Sequence, residues 1–205
     1  MLLKNFIVFE GIDGAGTSTQ IKKLCDRNRD LLIATAEPTD RATGRFLRQM
    51  LAGDFTLDEK TSAYLFAADR CEHIYGQGGV EELLKAGKIV ISDRYFFSSL
   101  AYQSVSCGKE IPRLVNSPFP LPQVLFYFEI KPEISLSRVE ARDGRREIYE
   151  KMDYQIKTAK LYDEVISEYE NNREGMKIIR IDASKSIEEI ADFIYTTLKN
   201  LQIIR

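Results

Sequence analysis

Short apolar runs alternate with longer stretches of helical periodicity along this chain, and this alternation limits the possible folds more than any other feature. The runs are apolar on both faces, too short for helices and mostly rich in β-branched or aromatic residues. They are Phe6–Phe9, Leu31–Ala34, Ile89–Ile91, Val124–Phe128 and Ile178–Ile181. Such runs are typical of parallel sheets covered by helices on both sides, and the intervals between them can hold crossover helices. The pattern predicts an α/β fold with a five-stranded parallel sheet.

The C-terminal segment carries the clearest helix signal. Ser186 and Glu189 have the spacing of a capping box. The apolar residues that follow fall on one helical face: Ile187, Ile190, Ala191, Ile194 and Leu198. Residues 57–86 also read as helical, with a break at the glycines 76, 78 and 79, whereas residues 111–122 hold four prolines and predict a surface loop. No repeat or linker divides the chain, so we expect a single domain over residues 1–205.

The overall composition excludes several classes of protein. Lys plus Arg number 29 against 31 for Asp plus Glu, so the basic excess of a nucleic-acid binder is absent from the sequence. Cys25, Cys71 and Cys107 are odd in number and widely spaced, and His73 is the single histidine, so neither a disulfide framework nor a zinc site is predicted. No run approaches the roughly 20 apolar residues needed to span a bilayer, and we expect a cytoplasmic protein.

The segment after the first predicted strand resembles a phosphate-binding loop. Residues 11–18 read Gly-Ile-Asp-Gly-Ala-Gly-Thr-Ser and precede a helical pattern. In that setting glycines allow backbone N–H groups to converge on an anion, and the helix N-terminus adds its positive dipole. The position that normally carries lysine is Thr17, so a glycine-rich turn that binds no ligand remains an alternative from this segment alone. Ser18 is placed to bind Mg²⁺.

A second segment makes the resemblance specific. Residues 93–103 read Asp-Arg-Tyr-Phe-Phe-Ser-Ser-Leu-Ala-Tyr-Gln and follow the third predicted strand. This run resembles the D-R-[YFH]-x-x-S-x-x-A-[YF]-Q signature of thymidylate kinases. Residues 9–11 (Phe-Glu-Gly), 37–38 (Glu-Pro) and 65–70 (Leu-Phe-Ala-Ala-Asp-Arg) also resemble that family and occur in its order. The resemblance covers nearly the whole chain and implies a three-layer P-loop NTPase fold with a helical lid.

The same residues make chemical sense beside a phosphate-binding loop. Side chains that follow the carboxyl end of a parallel strand face the ligand crevice, which places Arg94 there. On the next helix Ser98 and Tyr102, like Ser99 and Gln103, are i,i+4 neighbours and put polar groups on adjoining faces. An ordinary packed helix with Tyr102 in the core is the alternative.

Further dTMP contacts follow from the resemblance. Phe66 would stack on thymine and Arg70 would donate to its O4, although their i,i+4 spacing alone favours a core phenylalanine beside a surface arginine. Tyr102 would lie where a ribose 2′-OH would be. Arg48, or Arg41 as a second candidate, would bind the dTMP phosphate. The predicted dTMP-binding residues are Glu37, Pro38, Arg48, Phe66, Arg70, Arg94, Ser98, Ser99, Tyr102 and Gln103.

The ATP side and the catalytic groups follow from the resemblance in the same way. The predicted ATP-binding residues are Gly11, Ile12, Asp13, Gly14, Ala15, Gly16, Thr17, Ser18, Thr19, Arg138 and Ala183, with Ser18 and Asp93 as Mg²⁺ ligands. Asp13 would lie near the sugar 3′-OH and the metal. The predicted catalytic residues are Arg94, Asp13 and the arginines of a lid at about residues 138–150, Arg142, Arg145 and Arg146. A charged, solvated helix end is the alternative to the lid.

The resemblance implies an ATP- and Mg²⁺-dependent kinase that converts dTMP to dTDP in dTTP synthesis, and a homodimer. Two other functions stay open from the sequence. One is a related nucleoside or nucleoside-monophosphate kinase. The other is a catalytically impaired nucleotide-binding homologue, because Thr17 supplies no positive charge to the β- and γ-phosphates.

Overall fold

The computed structural model describes residues 1–28, 31–141, 147–171 and 175–204, and these residues contain five strands and the helices that flank them. The strands are β1 (Leu2–Gly11), β2 (Leu32–Ala36), β3 (Ile89–Asp93), β4 (Leu121–Glu129) and β5 (Lys177–Asp182). The helices are α1 (Thr17–Arg27), α2 (Ala42–Leu51), α3 (Glu59–Tyr75), α4 (Val80–Lys85), α5 (Phe96–Cys107), α6 (Glu110–Asn116), α7 (Pro132–Glu140), α8 (Met152–Asn171) and α9 (Ile187–Asn200).

All five strands pair in parallel, in the order β2-β3-β1-β4-β5. The central strand β1 buries alternate side chains on opposite faces of the sheet. Phe6 and Val8 lie in a core shared with α2, α3, α5 and α8, whereas Ile7 and Phe9 lie in a second core with α1 and α9. The two cores explain why these runs are apolar on both faces, and they confirm the predicted helix–sheet–helix layering.

The predicted helix signals are confirmed with one exception. Ser186 and Glu189 form the predicted capping box at the start of α9. Ile190, Ala191, Ile194 and Leu198 are buried, but Ile187 is 51 % exposed because it is the first residue of the helix and lies outside the packed turns. The glycines after Tyr75 separate α3 from α4 as expected.

The prediction of a surface loop over residues 111–122 is wrong. Residues up to Asn116 belong to α6, and β4 begins at Leu121. Pro112 is compatible with the helix because it lies in the first turn, where a backbone N–H has no partner within the helix. Only Pro118 and Pro120 lie in the connection, which is limited to residues 117–120, whereas Pro112 belongs to α6 and Pro122 to β4.

The strand order places the ends of β2, β3 and β1 side by side. Phe9 of β1 is in register with Asp93 of β3, and Ala36 of β2 is in register with the same residue. β4 and β5 lie on the other side of β1, so the strand order changes direction at β1. Open α/β sheets bind ligands at such a point, beyond the carboxyl ends of the strands.

Candidate active site

A cleft of about 270 Å³ opens beyond the carboxyl ends of β1, β2 and β3. It brings together eighteen residues that the sequence singled out: Ile12, Asp13, Gly14, Gly16, Thr17, Ser18, Thr19, Glu37, Pro38, Arg48, Phe66, Arg70, Asp93, Arg94, Ser98, Ser99, Tyr102 and Gln103. Both the phosphate loop and the predicted dTMP residues therefore line one space. Tyr149 and Glu150, which the sequence analysis did not select, also line it.

Some predicted residues lie elsewhere. Ala15 and Ala183 are buried in the core between the sheet, α1 and α9, and do not line the cleft. Gly11 ends β1 behind the loop, and Arg138 lies in the last turn of α7. The predicted lid arginines Arg142, Arg145 and Arg146 fall outside the described residues, and their roles stay predictions.

Glycines shape the phosphate loop. Gly16 precedes α1 with φ 97°, a left-handed conformation that residues with a Cβ rarely adopt. Gly14 has φ 85°, and a Cβ on it would come within 2.4 Å of the carbonyl oxygen of Ser135. The Ser135 hydroxyl also donates to the backbone oxygen of Asp13. Helix α7, from which the predicted lid continues, therefore packs directly against the phosphate loop.

Ser18 and Asp93 meet at the floor of the cleft, where the Ser18 hydroxyl donates to Oδ2 of Asp93 at 2.5 Å. One residue comes from the first turn of α1 and the other from the end of β3. Among the described residues no group of three His, Cys, Asp or Glu side chains could hold a metal ion. Two protein oxygens fit Mg²⁺, which usually keeps several waters and binds to substrate phosphates as well.

Asp13 is the centre of a hydrogen-bond network. Its Oδ1 accepts from Nη2 of Arg94 at 2.5 Å, and its Oδ2 accepts from the Tyr102 hydroxyl at 2.9 Å and from Nε2 of Gln155 at 2.6 Å. Gln155 also donates to the backbone oxygen of Tyr149 at 3.0 Å. Nothing in the sequence pointed to Gln155 of α8, which links the phosphate loop to Tyr149 near the end of the predicted lid.

Arg94 is held in a strained conformation. Its φ of 71° is left-handed, which is uncommon for a residue other than glycine and tends to occur at functional sites. Nη1 donates to the oxygens of Gly11, Ser98 and Tyr162 at 3.0–3.2 Å. The backbone cost of this conformation is compensated by contacts with three different elements, which fix the guanidinium at the cleft.

A buried carboxylate lies behind Arg94. Glu10 is fully buried and accepts hydrogen bonds from the backbone of Tyr95 at 2.8 Å, from the Ser98 hydroxyl at 2.6 Å and from the Tyr162 hydroxyl at 2.8 Å. Burial raises the pKa of Glu10 from 4.5 to about 7, although the hydrogen bond from Ser98 and the charge of Arg94 oppose the shift. Glu10 belongs to the Phe-Glu-Gly segment of the resemblance, but its bonds to α5 and α8 could not be predicted from that segment.

The raised pKa predicts a pH dependence of stability. Between pH 4.5 and about 7 the folded state binds a proton that the unfolded state has lost. The Glu10 contribution to the free energy of unfolding therefore falls as pH rises through this window, by at most about 3 kcal/mol. Urea unfolding at pH 5 to 8 measures the free energy of unfolding of the native protein and of Glu10→Gln. The difference between the two isolates Glu10, because the other carboxylates contribute equally to both proteins. If this difference stays constant, or if the native protein gains stability relative to the variant as pH rises, the raised pKa of Glu10 is wrong.

The opposite end of the cleft carries a buried arginine. Arg70 is 1 % exposed, and its Nε and Nη2 donate to the same oxygen of Glu37 at 2.9 and 2.7 Å. Nη2 also donates to the Ser99 hydroxyl at 3.2 Å, and Nη1 donates to Asn116. These bonds use four of the five guanidinium N–H groups, and one on Nη1 is without a partner among the described residues. A base in the cleft can accept from it.

The two candidates for phosphate binding lie in different surroundings. Arg48 lines the cleft, is partly exposed and donates to the backbone oxygen of Pro38. Arg41 points away from the cleft, to the backbone oxygen of Gln77 at 2.7 Å and to Glu72 at 3.5 Å. The structure therefore favours Arg48 and not Arg41 for a ligand phosphate.

Comparison with known proteins places this site in a family. The family model for thymidylate kinase matches residues 9–194. This chain belongs to the thymidylate kinase family. A putative thymidylate kinase of Treponema pallidum is 39 % identical over 100 % of this chain and 99 % of its own length. A probable thymidylate kinase of Methanocaldococcus jannaschii is 38 % identical over 96 % of both chains, and a thymidylate kinase of Leptospira interrogans is 32 % identical over 95 % and 96 %.

The family is one of ATP-dependent phosphotransferases that act on dTMP. The predicted family, fold and enzyme class are confirmed. No helix in the described part of the chain is long and apolar enough to cross a membrane.

Proposed function

We propose that this chain transfers the γ-phosphoryl group of ATP to the phosphate of dTMP and releases dTDP and ADP. The observation that carries the proposal is that one cleft is lined both by the phosphate loop at the end of β1 and by Phe66 and Arg70 of α3 with polar residues of α5. A nucleotide-binding protein without transfer activity would need only one of these two halves. The second half supports a phosphate acceptor beside the donor.

The substrate side supports dTMP. Phe66 presents a ring in the cleft one helical turn from Arg70. The Nη1 hydrogen of Arg70 that has no partner in the described part of the chain suits the O4 of thymine. Cytosine carries an amino donor at that position and would face Arg70 donor to donor. Tyr102, locked by Asp13 and Arg94, would fill the space of a ribose 2′-OH and favour deoxyribose. Arg48 would bind the acceptor phosphate.

Mg²⁺ fits the oxygens of Ser18 and Asp93 described above, and when bound it would neutralise charge on the ATP phosphates. The residues of the chain do the rest by positioning. The acceptor is a phosphate oxygen that is already ionised at neutral pH, so no general base is needed. Backbone N–H groups of the phosphate loop and the start of α1 would hold the donor phosphates, and Arg94 would hold the acceptor phosphate in line.

Thr17 leaves one positive charge missing at the β- and γ-phosphates. Two arginines of the cleft have other roles in this proposal: Arg70 is buried against Glu37 on the base side, and Arg94 is bound to Asp13 and would hold the acceptor phosphate. Helix α7 packs against the loop at Gly14 and carries Arg138 in its last turn, and the other predicted lid arginines come after it in the sequence. We propose that a lid arginine supplies the charge when the lid closes, and that closure also excludes water.

The alternative of a catalytically impaired homologue is not favoured. It rests on Thr17 alone, whereas the family match covers most of the chain and the cleft contains every predicted dTMP residue. A coupled assay of the purified chain with ATP, Mg²⁺ and either dTMP, dUMP, dCMP or thymidine tests the proposal. We expect dTMP to be used best, dCMP poorly and thymidine not at all. Equal use of dTMP and dCMP, or use of thymidine, would assign a different kinase activity.

The remaining properties are proposed by analogy with the family. We expect a homodimer, and the half-exposed Tyr64 and Tyr75 of α3, eleven residues apart and thus on one face, support a partner there. Light scattering of the purified chain would show a monomer if this is wrong. We also expect a cytoplasmic location by analogy with the family, and no nucleic-acid partner, which agrees with the formal net charge of −2.

A further inference from the structure

Helix α3 holds the Glu37 carboxylate from two sides. Nδ1 of His73 lies 2.9 Å from Oε1 of Glu37, and Arg70 binds Oε2 through both Nε and Nη2. All three side chains are buried, with exposures of 4 %, 7 % and 1 % for His73, Glu37 and Arg70. The carboxylate is thus divided between its two partners, one oxygen for each.

The surroundings of His73 determine its tautomer. A carboxylate only accepts hydrogen bonds, so Nδ1 must carry the proton that Glu37 accepts. Nε2 is buried and has no hydrogen-bond partner among the described residues. A proton on Nε2 would be a buried donor without an acceptor, so the arrangement selects the neutral imidazole with the proton on Nδ1.

This bond restricts Arg70. Since Oε1 is occupied by His73, both guanidinium N–H groups on the Glu37 side converge on Oε2, which fixes the plane of the guanidinium. The rings of Tyr95 and Phe119 each lie 5.5 Å from its central carbon and hold the same plane. The one N–H of Nη1 that no described residue accepts then has a fixed direction. Without His73, Glu37 could rotate, and Arg70 would follow it.

We propose that His73 is a positioning residue for base specificity, which acts through Glu37 to hold the free N–H of Arg70 in the direction of the base. The inference rests on the proposed function, since it assumes that Arg70 reads a pyrimidine. It adds a residue outside the cleft, because His73 does not line it. The same helix face carries Phe66, Arg70 and His73 at spacings of four and three, so the stacking ring and the reading group share one rigid support.

The tautomer can be measured directly, because His73 is the only histidine in the chain. Long-range ¹H–¹⁵N NMR of the native protein should show one imidazole with a protonated Nδ1 and an unprotonated Nε2. The measurement needs no substrate. A proton on Nε2, or rapid exchange between tautomers as in a solvated histidine, would overturn the proposal whatever the enzyme activity is.

Two matched variants test the effect on specificity. The side-chain amide nitrogen that His73→Asn introduces can take the place of Nδ1, whereas His73→Gln places its amide nearer the position of Nε2. We expect His73→Asn to stay within about threefold of the native KM for dTMP. His73→Gln should raise that KM about tenfold and lower the preference for dTMP over dCMP by a similar factor, with kcat and the KM for ATP within about twofold.

The control is Glu72→Gln, on the outer side of α3, which is paired with Arg41 and should change none of these constants. If the Asn and Gln variants behave alike, or if the KM for ATP rises as much as that for dTMP, His73 is a packing residue and the proposal fails. A native protein that does not phosphorylate dTMP would instead overturn the proposed function. The two failures are therefore distinguishable.

Discussion

Replacing the catalytic lid arginine by alanine should lower kcat by about 10³- to 10⁵-fold, the usual effect of losing an arginine that stabilises a transferring phosphoryl group. The candidates are Arg142, Arg145 and Arg146, and one of them should account for most of the loss. The expected effect is large because Thr17 provides no second cation at the same phosphates. The KM for ATP should change much less than kcat, since the charge acts mainly in the transition state.

Arg113→Ala is the matched control for the lid variants, because Arg113 is bound to Glu168 through both terminal nitrogens at the surface of α6 and does not line the cleft. It should keep native kcat. If all three lid variants also keep near-native kcat, the lid does not supply the missing charge. Combining each with Thr17→Lys should reveal coupling, since the new lysine would take over part of the role. If the effects of Thr17→Lys and of the lid variants are additive, the charge missing at Thr17 is supplied from outside the lid.

Arg70→Ala should lower kcat/KM for dTMP by roughly 10- to 100-fold, the range expected for losing hydrogen bonds from a charged group. It should change the KM for ATP by less than about threefold, because Arg70 lies on the base side of the cleft. The same variant leaves Glu37 buried with one partner fewer. We therefore expect a loss of about 3–5 kcal/mol in the free energy of unfolding.

Two further variants separate recognition from stability. Arg70→Lys keeps a positive charge beside Glu37 but lacks the planar fork of nitrogens that reaches Glu37 and the base together, so it should recover stability more than dTMP use. Arg41→Ala removes an arginine outside the cleft that pairs with Glu72, a residue of the same helix as Arg70. This variant should change neither the stability nor the use of dTMP. If Arg70→Ala weakened the use of ATP as much as that of dTMP, the assignment of Arg70 to the base would be wrong.

The architecture could be predicted because the central strands β1, β3 and β4 are buried on both faces, which gives continuous apolar runs in the sequence. The proline-rich segment was misread for the opposite reason: the compatibility of Pro112 with a helix depends on its position in the first turn, and proline count says nothing about position. Ile187 shows the same limit, since helical periodicity does not mark where packing against the sheet begins.

The site could be predicted where family motifs are continuous in sequence, as in residues 93–103. Contacts between distant segments were not predictable. Gln155 meets Asp13 across 142 positions, and Glu10 meets Tyr162 across 152, and neither pair leaves a local pattern. The contacts of Glu37 with Arg70 and His73 could not be predicted either. Arg70 and His73 are three residues apart on α3, but Glu37 lies more distant in sequence, so only the folded structure shows that it binds both.

Whether the chain is an active kinase without a P-loop lysine is measured most directly by the conversion of dTMP and ATP to dTDP and ADP. The native protein and Thr17→Lys should be assayed side by side with Mg²⁺ under the same conditions. We expect the native protein to form one dTDP for each ADP in repeated turnovers. A native protein that forms no dTDP while Thr17→Lys does would contradict this account and show that the natural chain binds nucleotides without transferring phosphate.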